Sequence, residues 1–566
     1  MLRSLPMRAQ PKRRVLNLDW AACSVRIWHS QGLVWALVAV AFVTFATQFI
    51  FLPSYEVDDA WISFSYAKNL ATGHGPTFAH GGRVEGYSNF LWVALLTPLF
   101  SLAPRLPPLD VARALNVPFV VLLAWSTFRM VRSATGSSLA GALALCLLAT
   151  ASDLAFGTLS GLESFAYTAV LTAGFALNTM ARDEPAYAPL VIPAFVIVAL
   201  MRIDGFVSLA FILTWTGAEA FSSVPTRWRA WLRSSFPGVV AYLAWFSWRW
   251  WYYRMPLPCT YYAKSLISVV LPNRGIDYVW TEVLTSRLYL VAPAIAALLW
   301  TRNRSLLPAV AFVSLYLAYV ARVGGDWMPF GRFVIPVLPL LICFQVIGGR
   351  LFLQYAKLKG FAVRWAIVAA TVCAIGGLGA ALDHRFLNSQ EEVSKVERAQ
   401  KQIDDDRGYR RGARLLAMAV PSGARLVTDY PGTMAYYTDA YIIDMFGLTT
   451  PSIALEGTAV GINPLYGRTC PSCYPMLHPQ FFHVNVPIVR GRLAFASPQD
   501  VVSAVWQSDT IGRYVNFRRD YCVGRIVSES TDEAVYFLEE RNPRRRCSAR
   551  QPSPGFLVEY PFEPPA

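Results

Sequence analysis

Leu33 to Leu52 is a run of 20 residues without one charge. About 20 apolar residues are what a helix needs to cross a bilayer core. It follows a basic start containing Arg3, Arg8, Lys12, Arg13, Arg14 and Arg26. A cleaved signal peptide wants a shorter run and a small-residue cleavage site, which Leu52-Pro53-Ser54-Tyr55 does not resemble. The run therefore reads as an uncleaved first span with residues 1–32 in the cytoplasm. Apolar stretches recur at 112–131, 137–153, 164–180, 186–201, 205–219, 236–252, 287–300, 305–321, 332–350 and 365–382. With the first, eleven spans are expected. Several contain proline (Pro193, Pro293, Pro308, Pro336, Pro339), which a spanning helix tolerates when its neighbours re-satisfy the backbone.

Ser88 to Pro104 is also uncharged, and counting it as a span would invert everything after it. Read as a helix on the outer surface, it leaves twelve basic residues in the later inner loops, among them Arg129, Arg132, Arg227, Arg302 and Lys357. Eight remain in the outer ones, including Arg202, Lys264, Arg322 and Arg332. Positive residues gather on the cytoplasmic side, so this count favours eleven spans. It makes 53–111 a large outer loop within a transmembrane domain 33–382. Only 15% of the 566 residues are charged, against about 25% in a soluble domain. The net charge of +15 is thus read as basic cytoplasmic loops, with no nucleic-acid partner.

Composition changes after Leu382. Residues 383–566 hold no run long enough to span. Glu391 to Val420 predicts a helix, and Arg425–Asp429, Tyr441–Asp444 and Glu533–Leu538 predict strands. The expectation is a polytopic α-helical membrane protein carrying a C-terminal soluble α/β domain outside the cytoplasm, periplasmic in a bacterium with this as an inner-membrane protein. Cys470, Cys473, Cys522 and Cys547 all fall in that domain, where four cysteines can pair in three ways. The rival reading of Cys470-Pro-Ser-Cys473 as half a zinc site lacks a second pair.

Chemistry-bearing residues gather at predicted outer ends of spans. Glu56, Asp58 and Asp59 lie just past the first span, where three carboxylates repel one another and desolvation raises the pKa of at least one. Trp61, Ile62, Phe64, Tyr66 and Leu70 then recur at helical spacing and predict an amphipathic helix along the interface. Helix N-capping is the plain alternative for the aspartates. Further clusters are Ser160-Gly-Leu-Glu163, Met201-Arg-Ile-Asp-Gly205, Pro258-Cys-Thr-Tyr-Tyr-Ala-Lys264 and Arg322-Val-Gly-Gly-Asp-Trp-Met-Pro329. Ionisable residues at membrane depth default to functional hypotheses. Arg202 and Asp204 could also be a structural ion pair. No phosphate-loop, HExxH or GxSxG motif is present, and the six histidines form no paired metal motif.

Taken in order, these blocks resemble the GT-C glycosyltransferases. The stretch Asp58 to Leu70, then Gly73-His74-Gly75, Arg83-Val-Glu85-Gly-Tyr87-Ser88, and the four clusters above are similar to the branch of the mycobacterial terminal β-1,2-arabinofuranosyltransferase. So is the tail segment from Thr428-Asp429 through Tyr436-Tyr437 to Ile443-Asp-Met-Phe-Gly-Leu448. The resemblance spans about 33–450. It implies an inverting hexosyl- or pentosyltransferase that moves a sugar, with arabinofuranose or another pentose favoured and a hexose the alternative, from a polyprenyl-phosphate donor to a cell-envelope glycan, lipid or protein acceptor at the outer face. Asp58 or Asp59 would be the general base. Arg202, Lys264 and Arg322 would hold the leaving phosphate. His74, Glu85, Tyr87, Glu163, Asp204, Tyr262 and Asp326 would bind substrate. The donor is the implied lipid partner, no cofactor is implied besides it, and metal dependence is left unknown. The alternative is a transporter or flippase of lipid-linked glycans, which should show internal repeats and ionisable residues near the bilayer midplane. Neither is visible.

Overall fold

The computed structural model describes residues 20–51, 56–79, 82–222, 225–265, 273–285, 295, 305–326, 328, 331–355, 407–459, 468–484, 489–490, 497–505, 511–528, 530–531, 533–541 and 547–561. Fourteen helices precede residue 356 among them. They are α1 (Trp20–Phe51), α2 (Asp58–Ala71), α3 (Phe90–Leu102), α4 (Pro108–Thr135), α5 (Ser138–Ala149), α6 (Ser152–Leu159), α7 (Ser164–Met180), α8 (Ala188–Met201), α9 (Phe206–Phe221), α10 (Pro225–Tyr253), α11 (Cys259–Lys264), α12 (Arg274–Thr285), α13 (Leu307–Val323) and α14 (Leu338–Tyr355).

Gln31–Ile50 within α1, and α4, are long and apolar enough to cross a membrane. α5 and α6 would make a third span if their 65° bend is one interrupted helix. The count of eleven is therefore not reached among the described residues. Expected spans 287–300 and 365–382 lie outside them, apart from residue 295. The others coincide with helices, some longer than the expected span (α1, α4, α10) and some ended by a charged turn. Met201-Arg202-Ile203-Asp204-Gly205, for example, separates α8 from α9. α3 has 13 residues, about 20 Å of helix, less than the hydrocarbon thickness of about 30 Å. α7 is buried on every side, with only Leu177 partly exposed, so it forms the centre of the bundle. It packs against α4 and α8.

The tail adds helices α15 (407–419), α16 (Pro431–Tyr437) and α17 (Pro451–Glu456). Its strands are β1 (Arg425–Thr428), β2 (Tyr441–Asp444), β3 (Thr458–Ala459), β4 (Arg468–Thr469), β5 (Phe481–His483), β6 (Val489–Arg490), β7 (Tyr521–Ser528), β8 (Glu533–Glu540), β9 (Arg550–Ser553) and β10 (Phe556–Glu559). The main sheet runs β2-β1-β5-β8-β7-β10-β9, with β6 also on β8. β2, β1 and β5 are parallel; the rest pair antiparallel. The three strands read from sequence are β1, β2 and β8. Of the predicted helix, 407–419 is seen and 391–406 lies outside the described residues. The cysteines pair as Cys470–Cys473 and Cys522–Cys547. Glu456 lies beside the first pair, and its carboxylate and the two sulfurs are close enough to share a cation. The sulfurs are instead joined to each other.

The tail lies on α2 and α11, which the sequence reading assigns to outer loops. α2 packs against α16, and α11 against α17. The glycine at 86 lets the two parts meet: a Cβ there would stand 2.5 Å from Thr449 Cγ2.

Candidate active site

The aspartate pair opens α2, yet the two carboxylates face different partners. Asp58 accepts hydrogen bonds from the Gly432 N–H (2.9 Å), the Thr433 N–H (2.7 Å) and the Thr433 hydroxyl (2.5 Å). Burial pushes its pKa up to about 7, against those hydrogen bonds, with the charge of Asp59 adding to the rise. The desolvation expected for at least one of the three carboxylates falls here, and burial pushes Glu56 up as well. Asp59 turns the other way, and its Oδ2 lies 3.4 Å from Arg332 Nη1.

Arg332 joins Asp59 to a buried cluster. Its guanidinium is 3.7 Å from Glu163 Oε1 and 3.7 Å from Asp326 Oδ2. Glu163 sits at the N-terminus of α7, where the helix dipole favours a carboxylate. The turn before it needs Gly161 at φ +78°, and a Cβ there would stand 2.9 Å from both Leu109 and Phe64. Asn89 donates to Glu163 Oε2 at 2.6 Å and to Ser63 on α2 at 3.0 Å. Arg202 closes the far side. It grips Asp204 with two hydrogen bonds of 3.0 and 3.1 Å, lies 3.8 Å from Glu163 Oε1, and stacks over Tyr167 and Phe333. The fork geometry makes the Arg202–Asp204 contact a strong one. The contacts of Arg332 are longer than charge-assisted hydrogen bonds of about 2.7–2.9 Å. Glu163 Oε1, Arg202 Nη1 and Arg332 Nε are buried without a hydrogen-bond partner. Buried polar atoms are nearly always satisfied, so three from three residues around one point mark a place for a polar ligand.

Asp59, Glu163, Arg202, Asp204 and Asp326 are thus brought together from four segments distant in sequence. Each of the other expected site residues has its own surroundings. Glu85 receives Arg249 Nε at 2.7 Å, both buried, and burial pushes its pKa up to about 7. Tyr87 meets the Tyr253 hydroxyl at 3.1 Å. These contacts bind the loop at 82–89 to the end of α10. His74 Nδ1 lies 2.8 Å from the Thr72 hydroxyl in an exposed turn. Tyr262 and Lys264 lie on α11, the helix that packs against the tail. Arg322 is exposed in the last turn of α13. Arg332 and Asn89 were missed. Arg332 looked like one more outer-loop charge, and the only hint was its place at the edge of an apolar stretch. Asp444, in the tail block of the resemblance, is buried and accepts from the Phe446 and Thr449 N–H groups at 2.8 Å each, so it shapes the turn that meets Gly86.

The profile of a family described as a domain of unknown function (DUF8728) matches residues 396–523. No curated protein matches the chain. The oligosaccharyltransferase AglB of the archaeon Archaeoglobus fulgidus, solved with an inhibitory peptide and a dolichol-phosphate, is similar at TM-score 0.52 and 10% identity, over 90% of this chain and 74% of AglB. Its apo form is similar at TM-score 0.50 and 11% identity, over 92% and 76%. ArnT from Cupriavidus metallidurans reaches TM-score 0.47 at 11% identity, over 90% and 98%. The chain therefore shares the overall fold of AglB.

Proposed function

We propose that the protein is an inverting glycosyltransferase that moves a sugar from a polyprenyl-phosphate donor to an acceptor hydroxyl at the outer face of the membrane. The carrying observation is the cluster of Asp59, Glu163, Arg202, Asp204, Asp326 and Arg332. It gathers a partly exposed carboxylate, two guanidinia and unsatisfied buried polar atoms at one point of the fold shared with AglB. AglB was solved with a dolichol-phosphate, a carrier of the same chemical class.

Asp59 is the general base in this reading, because Asp58 is already committed to three donors of the tail. Asp59 takes the acceptor's proton as the acceptor oxygen bonds to the sugar carbon. The bond from that carbon to the phosphate oxygen breaks on the opposite face, and the polyprenyl phosphate leaves with the electron pair. Arg332 meets the charge that develops on the phosphate, since its present carboxylate contacts are loose. Glu163 and Asp326 accept hydrogen bonds from sugar hydroxyls, while Arg202 is held in place by Asp204. The favoured donor sugar is a pentose, arabinofuranose first on the resemblance of the motif blocks, with a hexose as the alternative, and the acceptor is a cell-envelope glycan, lipid or protein. The two disulfides fit an oxidising compartment and so a tail outside the cytoplasm.

The test is transfer from synthetic polyprenyl-phosphate sugars by the wild type, Asp58→Asn and Asp59→Asn, with pentose and hexose donors in parallel. Asp59→Asn is expected to lose at least about 100-fold in rate, the range of a general base. Full activity in Asp59→Asn would remove the base assignment, and no transfer from any donor by the wild type would remove the function. Reporter fusions at Ser389 and Arg304 should report opposite sides of the membrane.

A further inference from the structure

The first turn of α2 has no cap of its own: its N-cap residue, Val57, offers no side-chain hydrogen bond. Asp58, placed to serve that role, caps α16 of the tail instead. Gly432 lies so close to α2 that a Cβ would stand 2.2 Å from Asp58 O and 2.7 Å from Ile62 N, both backbone atoms that cannot yield. The grip continues along the helix. Trp61 packs edge-on to Tyr436 at 5.1 Å, and Lys68 donates to Tyr436 O at 2.7 Å. Two residues upstream of α2, Glu56 pairs with Arg410 of α15 at 2.8 Å.

Asp59 shares this turn and is turned about 100° around the helix from Asp58. Whatever fixes Asp58 therefore fixes the direction in which Asp59 faces Arg332. We infer that the Gly432–Thr433 turn of the tail is a positioning element of the active site, acting through Asp58 to hold Asp59 in its productive geometry. The inference rests on the transferase reading above. It assigns the tail a part in the reaction rate and none in donor binding, because Arg332, Glu163 and Arg202 make no hydrogen bond or ion pair to 432–433 among the described residues. A displacement of about 1 Å in a catalytic group can cost about 100-fold in rate, so a loosened turn is enough.

Thr433→Val removes the hydroxyl donor to Asp58 while keeping its bulk. The purified full-length protein in nanodiscs is read three ways: hydrogen exchange of the amides at 57–62, binding of undecaprenyl phosphate by native mass spectrometry, and transfer kinetics. The expected result is faster exchange at 57–62, unchanged binding of undecaprenyl phosphate, and a kcat at least tenfold lower with donor KM unchanged. Thr433→Ser should restore kcat and exchange together, which a general loss of stability would not do. Should Thr433→Val fail to fold, Thr433→Ala is read the same way. Unchanged exchange, or faster exchange with wild-type kcat, overturns the inference. A wild type that neither binds undecaprenyl phosphate nor transfers sugar overturns the functional reading instead, and the exchange data still decide whether Thr433 orders the Asp59 turn.

Discussion

Arg332 stands within 3.7 Å of three carboxylates, and Glu163, one of them, is almost wholly buried. Removing one partner of a buried pair leaves a charge without compensation, which costs about 3–5 kcal/mol. Arg332→Gln should therefore lower stability by roughly that amount, read by chemical denaturation in detergent. Arg332→Lys keeps the charge but loses the planar fork that reaches several carboxylates at once, so it should fold better than Gln yet still transfer sugar slowly. Gly86 tests close approach rather than charge. Gly86→Ala drives a Cβ against Thr449, and overpacking of this kind costs about 1–3 kcal/mol. Its expected signature is easier proteolysis at the junction of tail and membrane domain. Wild-type protease resistance would show that Thr449 can move aside.

At the scale of elements, the two disulfides should matter unequally. Cys522 and Cys547 are 25 residues apart and tie β7 to the chain entering β9, whereas Cys470 and Cys473 are three apart. Loop-closure entropy gives about 3.5 kcal/mol for the longer loop against about 1.6 for the shorter. Cys522→Ser should thus lower the melting temperature of the tail more than Cys470→Ser, measured by calorimetry of the oxidised protein. Equal losses would mean that strain or residual structure outweighs chain entropy here. The elements also show why the motif blocks of the resemblance divide in two. Those around Glu163, Arg202 and Asp326 build the charged cluster, and those around Glu85, Lys264 and Asp444 build the seam between the tail and the elements it covers. α2 serves both, with Asp59 on one side and Asp58 on the other.

For the whole molecule, the buried carboxylates set a direction for pH dependence. Asp58 and Glu85 are pushed up to about 7 and Asp444 up to about 6, all chiefly by burial. In the unfolded chain such groups titrate near 4. Between about pH 4 and pH 7 the folded protein therefore binds more protons than the unfolded one. Stability should fall as pH rises through that window and level off above it. The melting temperature in detergent is expected to be higher at pH 5.5 than at pH 8. A rise toward pH 8 would show that carboxylates held ionised by their partners outweigh these three.

Sequence alone determined where the long apolar helices α1 and α4 lie, the change of composition near residue 382 and the segments where charges adjoin apolar runs, because hydropathy and charge are local properties. It also located β1, β2 and β8, whose apolar runs are short and bounded by turn residues. It did not determine the number of crossing helices, since an apolar run of 15 to 17 residues reads alike whether it spans lipid or packs inside the bundle, as α7 does. Nor could it separate Asp58 from Asp59. Adjacent residues on a helix diverge by about 100°, so two identical side chains met two unlike environments: Thr433 of the tail on one side, Arg332 on the other. Those partners are 375 and 273 residues away. Only tertiary packing brings them to α2, and no pattern within the chain specifies contacts across such separations.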